Sequence, residues 1–221
     1  GITGGVNTGA KIASTDYIVY AHDDFYFLPE WDLNWISEIK KLKNNYFYLS
    51  GTMVQNGQIN YDCGDTLENF DEQKLLSNYK NINYHDFQGS TWAPHIVHKN
   101  LWNRVGGFSE EFFPGTGSDP DLNLKLWNEG VRIFKGVGKC MVYHFGSIVT
   151  RKKFKHDKSI ITDSGSKGSK IFLKKWGFSI KFFKKYYLKS KTKYEGPLNE
   201  PKKTLNYFLD LLICKIRLFL I

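Results

Sequence analysis

With 221 residues, 41% of them hydrophobic and 16% aromatic, the chain has enough apolar material for one sizeable core or one domain with an appendage, which excludes a disordered or fibrous polymer. The net charge of +9 is uneven: residues 1–150 hold 12 basic and 17 acidic side chains, residues 151–204 hold 17 and 4, and residues 205–221 hold 2 and 1. Cys63, Cys140 and Cys214 are odd in number and lack metal-ligand spacing, so neither a disulfide framework nor a zinc site is indicated and a reducing, cytoplasmic setting is expected.

In chain order, YIVYA (Tyr17 to Ala21) is a continuous apolar run, as expected of a strand covered on both faces. Trp31, Trp35, Ile39 and Leu42 then recur at the spacing of one helical face. YFYLSGTMV (Tyr46 to Val54) predicts the next strand. After an Asn-rich stretch come STWAPHIVHKNLWNRVGGF and SDPDLNLKLWNEG, the latter a helix with Leu122, Leu126 and Trp127 on its buried side, then VRIF and CMVYHF as two short strands. Strands alternating with helices predict a layered α/β domain with a largely parallel sheet over 1–150, followed by a basic, mostly helical extension over 151–221.

Three places carry chemistry. Asp23 and Asp24 follow a strand, where open α/β sheets bind ligands, and two adjacent carboxylates facing a phosphate call for a divalent cation. A turn or N-cap pair ahead of Pro29 is the other reading of that dipeptide. In GSDPDLN, Ser118 and Asp121 have capping-box spacing, which leaves Asp119 free to face a cleft. A calcium loop is excluded there, because its glycine and closing glutamate positions hold Leu124 and Gly130. His144, at a strand end before Gly146, is either a packed histidine or a metal ligand.

The order of these pieces resembles the family 2 glycosyltransferases, inverting enzymes of the GT-A fold. NTGAKIASTDYIVYAHDD is similar to the segment leading into the family's metal motif, GSTWAPHIVHKNLWNRVGGFSEEF to its acceptor-side segment, GSDPDLNLKLWNEG to the segment carrying its catalytic base, and VYHFGS to its late histidine. His22 stands at the first acidic position of the metal motif, and Ser118 replaces the acidic neighbour that would lift the pKa of the base. The family's first strand and nucleobase loop would lie upstream of Gly1, so the chain is expected to be a piece of a longer protein.

The resemblance implies a Rossmann-like mixed sheet flanked by helices. It implies Mn²⁺ or Mg²⁺ held by Asp24 with Asp23 and His144, a nucleotide-diphosphate sugar contacted by Asn7, Asp23 and Asp24, and Asp119 as general base. Trp92 and Asp121 would lie on the side of a glycan or lipid-linked acceptor, the indole face of Trp92 suiting a sugar ring, with a buried core tryptophan as the other reading of that residue. The alternative is a non-catalytic module that binds a membrane surface or nucleic acid through its basic, aromatic tail. The apolar stretch Leu205 to Ile221, with Asn206, Asp210 and Arg217 on a narrow polar stripe, favours an anionic membrane periphery over nucleic acid. A solvated Lys-rich face is the plainer reading of the tail.

Overall fold

A computed structural model describes residues 1–146 and 158–221, the side chains of the second stretch from Lys167 onward. The basic run 151–157 and the boundary near Arg151 lie outside the described residues. The elements are α1 (Ile2–Ile12), β1 (Tyr17–Tyr20), β2 (Phe25–Phe27), α2 (Trp31–Lys41), β3 (Phe47–Val54), α3 (Glu72–Asn78), β4 (Phe87–Gln88), β5 (His95–His98), α4 (Lys99–Val105), α5 (Ser118–Asn128), β6 (Ile133–His144), α6 (Lys158–Trp176), α7 (Ile180–Tyr186) and α8 (Leu205–Phe219).

The fold is α/β, with one curled, mixed sheet of order β1-β5-β3-β6-β2 and β4 also paired to β6. Among the described strands only β3 and β6 run parallel, so the expectation of a largely parallel sheet is corrected. VRIF and CMVYHF are not two strands. Residues 137–140 stay extended through an irregularity in the ladder, between the pairs Ser50–Gly136 and Thr52–Met141, so the two runs form one 12-residue β6.

The curl has a covalent cause. β1 and β2 stand at opposite ends of the strand order but are joined only by Ala21 to Asp24. Five residue steps reach at most about 18 Å, whereas four flat interstrand spacings need about 19 Å. The linker therefore crosses one end of the sheet and draws its edges together. Because β5 is antiparallel to both β1 and β3, the strands β1, β3 and β6 point the same way, and this end carries the C-termini of β1 and β6.

Trp35 is the buried anchor of α2, which packs against β6 over Phe47, Leu49 and Cys140. The described tail joins the core of the body: Phe172, Phe183, Leu188 and Leu198 share one apolar cluster with Tyr20, Tyr48, Leu122, Trp127 and Phe134. Backbone bonds tie it further, the Thr192 carbonyl accepting from Gln88 and the Tyr194 amide donating to Asp86. Gly168 of α6 sits where a Cβ would come within 2.0 Å of the Thr116 carbonyl oxygen, so only glycine lets this helix close on the loop ahead of α5. Among the described residues no helix is long and apolar enough to cross a membrane.

Candidate functional site

The antiparallel register that sets Phe25 opposite His144 brings the loop after β1 to the end of β6. The Phe145 amide donates to the Asp24 carbonyl at 3.1 Å and fixes the junction. Ligand atoms of His22, Asp24 and His144 all lie within 4.8 Å of one another. Asp24 is buried, with Oδ2 3.3 Å from His144 Nε2 and Oδ1 3.9 Å from His22 Nδ1. The Phe25 ring supports both imidazoles, stacked on His22 at 4.8 Å and perpendicular to His144 at 5.1 Å.

The partners of His144 fix its tautomer. Nδ1 lies 3.2 Å from the Asn56 carbonyl oxygen, which has no proton to give, so Nδ1 donates. In the neutral ring Nε2 then carries the lone pair; it is sealed from solvent and makes no hydrogen bond among the described residues. A lone pair and a carboxylate oxygen 3.3 Å apart repel unless a ring proton or a metal ion lies between them. A divalent metal answers that demand, and a carbonyl on the far ring nitrogen is how metal-bound histidines are usually oriented. Burial lowers the pKa of His22 against the opposing charge of Asp24, which favours the neutral ring that ligation needs. Two imidazoles and one carboxylate suit a first-row transition ion better than Mg²⁺.

His22 is the member that sequence reasoning missed. Asp23, named for the group instead, is exposed and outside it. The i, i+2 spacing of His22 and Asp24 was the available signal, since His22 turns in, Asp23 out and Asp24 in.

Asp119 stands in the first turn of α5. The residue as a whole is only half-buried, but Oδ1 is sealed and has no hydrogen bond among the described residues. Burial pushes its carboxyl up to about 7, against smaller opposing effects of Lys184 and a backbone hydrogen bond. Desolvation thus supplies the upward shift that the absent acidic neighbour at Ser118 was expected to withhold. Tyr20 links this carboxyl to the His–Asp–His group. Its ring lies 5.3 Å from that of His22, and burial, then the charges of Asp119, Asp23 and Asp24, hold its hydroxyl protonated.

Behind Tyr20 lies a polar interior. His95 pairs with Tyr20 across the strands and is pushed down to about 3 by burial, so it is neutral. Its Nδ1 is 3.0 Å from the Tyr48 hydroxyl, which donates to the Trp92 carbonyl at 3.3 Å. Trp92 stacks on Phe87 in the wall of a cleft of about 360 Å³ that Tyr84, Gln58 and Lys191 also line. His95 Nε2 and Trp92 Nε1 are buried polar atoms without hydrogen bonds among the described residues. Buried atoms in that condition call for ordered water or a ligand's hydroxyls.

Two other named residues are occupied by the fold. Asn7 grips the Phe108 backbone with both amide atoms, donating to its carbonyl at 2.8 Å and accepting from its N–H at 2.9 Å. Gly107 makes this possible, because a Cβ there would lie 2.5 Å from Asn7 Oδ1. The capping box is not formed: Gly117 caps α5 without a side-chain bond, and Ser118 Oγ donates to the Gly115 carbonyl. Asp121 is fully buried and accepts from Ser109 Oγ at 2.6 Å, Trp176 Nε1 at 2.8 Å and Lys175 Nζ at 3.0 Å. It anchors α6 to α5. The chain matches no protein-family model and no curated protein.

Proposed function

We propose that the chain transfers a sugar, with inversion, from a nucleotide-diphosphate donor to a hydroxyl of a glycan or lipid-linked acceptor. The observation that carries this reading is a half-buried carboxyl with one sealed oxygen, lifted toward neutral pKa by desolvation, and a His–Asp–His group, with Tyr20 under the charge of both Asp119 and Asp24. Single displacement at an anomeric carbon needs these two functions, a base for the incoming hydroxyl and a counter-charge for the departing diphosphate.

Asp119 takes the acceptor proton as that oxygen attacks the anomeric carbon on the face opposite the leaving group. A carboxyl at about 7 is part ionised at neutral pH and a far stronger base than an exposed aspartate. His22, Asp24 and His144 would hold Mn²⁺, which supplies positive charge for the diphosphate oxygens. Tyr20, held protonated by burial, remains a hydrogen-bond donor within the electrostatic reach of Asp119. Trp92, backed by Phe87, offers a face for a sugar ring, with Lys191 at the cleft edge.

The test is Mn²⁺ binding, followed by loss of the free-ion resonance signal, with and without UDP or GDP, together with nucleotide release from a panel of nucleotide sugars. Asp24→Ala should abolish Mn²⁺ binding and release, whereas Asp119→Asn should keep the first and lose the second. Release that survives chelation and Asp24→Ala defeats the proposal. The same donor set is that of mononuclear iron sites, so tight Fe²⁺ binding indifferent to nucleotide would favour an iron-dependent reading instead.

A further inference from the structure

The last helix is mounted with its apolar side outward. Tyr207 and Cys214 of α8 are buried against Leu173 and Phe182, and Asp210 turns inward as well. Its Oδ2 accepts from Lys185 Nζ and from the Tyr186 hydroxyl, each at 2.7 Å. The opposite side therefore faces water: Leu205, Phe208, Leu212, Ile216 and Phe219, spaced three or four residues apart, are each 52–90% exposed. A stripe of that length on a globular helix normally faces a core, and contiguous exposed apolar surface marks an interaction site.

Charge selects the occupant. Residues 167–221 hold 14 Lys and Arg against 3 Asp and Glu. Lys202 and Lys203 lead into α8, and Lys215 and Arg217 are exposed along it. A second copy of the chain would set two such basic surfaces against each other, and like charges oppose that contact. An anionic bilayer offers the opposite charge at its surface and an apolar layer just beneath. Fifteen helical residues reach about 22 Å, short of the roughly 30 Å hydrocarbon core, so the helix lies along the surface.

We infer that α8 and its lysines are a docking surface for an anionic lipid bilayer, with the helix in the interfacial plane and Phe208, Leu212 and Ile216 inserted. This holds whether or not the chain transfers sugars.

The test is sedimentation of the full chain with vesicles of phosphatidylcholine alone or mixed with phosphatidylglycerol. Binding is expected only to the mixed vesicles and should weaken in high salt. Leu212→Gln/Ile216→Gln, which removes apolar surface without adding charge, should lower affinity at least about tenfold. Lys202→Ala/Lys203→Ala, remote from the core, should lower it about fivefold per lysine. Equal binding to neutral vesicles, wild-type affinity in both variants, or a dimer that Leu212→Gln/Ile216→Gln dissolves in a chain that ignores vesicles would each overturn the inference.

Discussion

Asp119→Asn separates the base from the fold in one substitution, because the burial that makes this carboxyl a strong base also burdens folding when it ionises. An aspartate moved from 3.8 to about 7 prefers its proton in the folded state by about 4 kcal/mol, at about 1.36 kcal/mol per pKa unit. The folded pKa is raised, so the contribution to stability is fully present below the unfolded value near 3.8. It is lost progressively as pH rises to about 7, and is flat above that. Asparagine has no such loss. Urea midpoints compared across pH 4 to 8 should therefore show the variant gaining on the wild type as pH rises, by about 2–4 kcal/mol at pH 8, with the change confined to the window between the two pKa values. Transfer should fall by roughly two to four orders of magnitude. A stability difference that does not change with pH would refute a desolvated Asp119, and undiminished transfer would remove it from catalysis.

Asp121→Ala should destabilise by about 3 kcal/mol in urea titration and expose α6 to protease, because Trp176 loses its acceptor and Lys175 keeps only Glu111 and Ser109. His22→Ala should weaken Mn²⁺ binding at least about tenfold while Asp23→Ala stays within about twofold, measured by calorimetry; the reverse would return Asp23 to the metal group. Gly168→Ala, at a helical position where alanine usually helps, should instead lower the thermal midpoint by the equivalent of about 1–3 kcal/mol, since the added carbon meets the Thr116 backbone.

Much of the architecture was legible locally. The Trp35 face forms the buried side of α2, and Leu122, Leu126 and Trp127 are buried on α5 as their spacing predicts; YIVY forms β1, but as an edge strand with Val19 exposed and not one covered on both faces. Asp24 and His144, singled out on chemical grounds, do meet. The capping box was also legible, but it gave way to competing contacts: Ser118 found the Gly115 carbonyl, and Asp121 found partners 55 residues away on α6. Local spacing signals an option for a side chain, and a better long-range partner overrides it.

The sequence by itself determined an α/β chain, where its carboxylates and late histidine fall relative to strand ends, and the charge imbalance of the tail, because period, apolar runs and charge depend on residues only a few positions apart. Tertiary structure alone decided three things. The β2–β6 register completed the His22–Asp24–His144 group across 120 residues of chain. Closure of the core over α5 raised the Asp119 pKa without an acidic neighbour. The mounting of α8 decided which of its faces meets water: of the residues on its polar stripe, Asp210 turned onto Lys185 and Tyr186 while Asn206 and Arg217 stayed exposed, and Leu205, Phe208, Leu212 and Ile216 were left outward. Burial and orientation arise from contacts between distant segments, and a window of sequence does not contain both partners of such a contact.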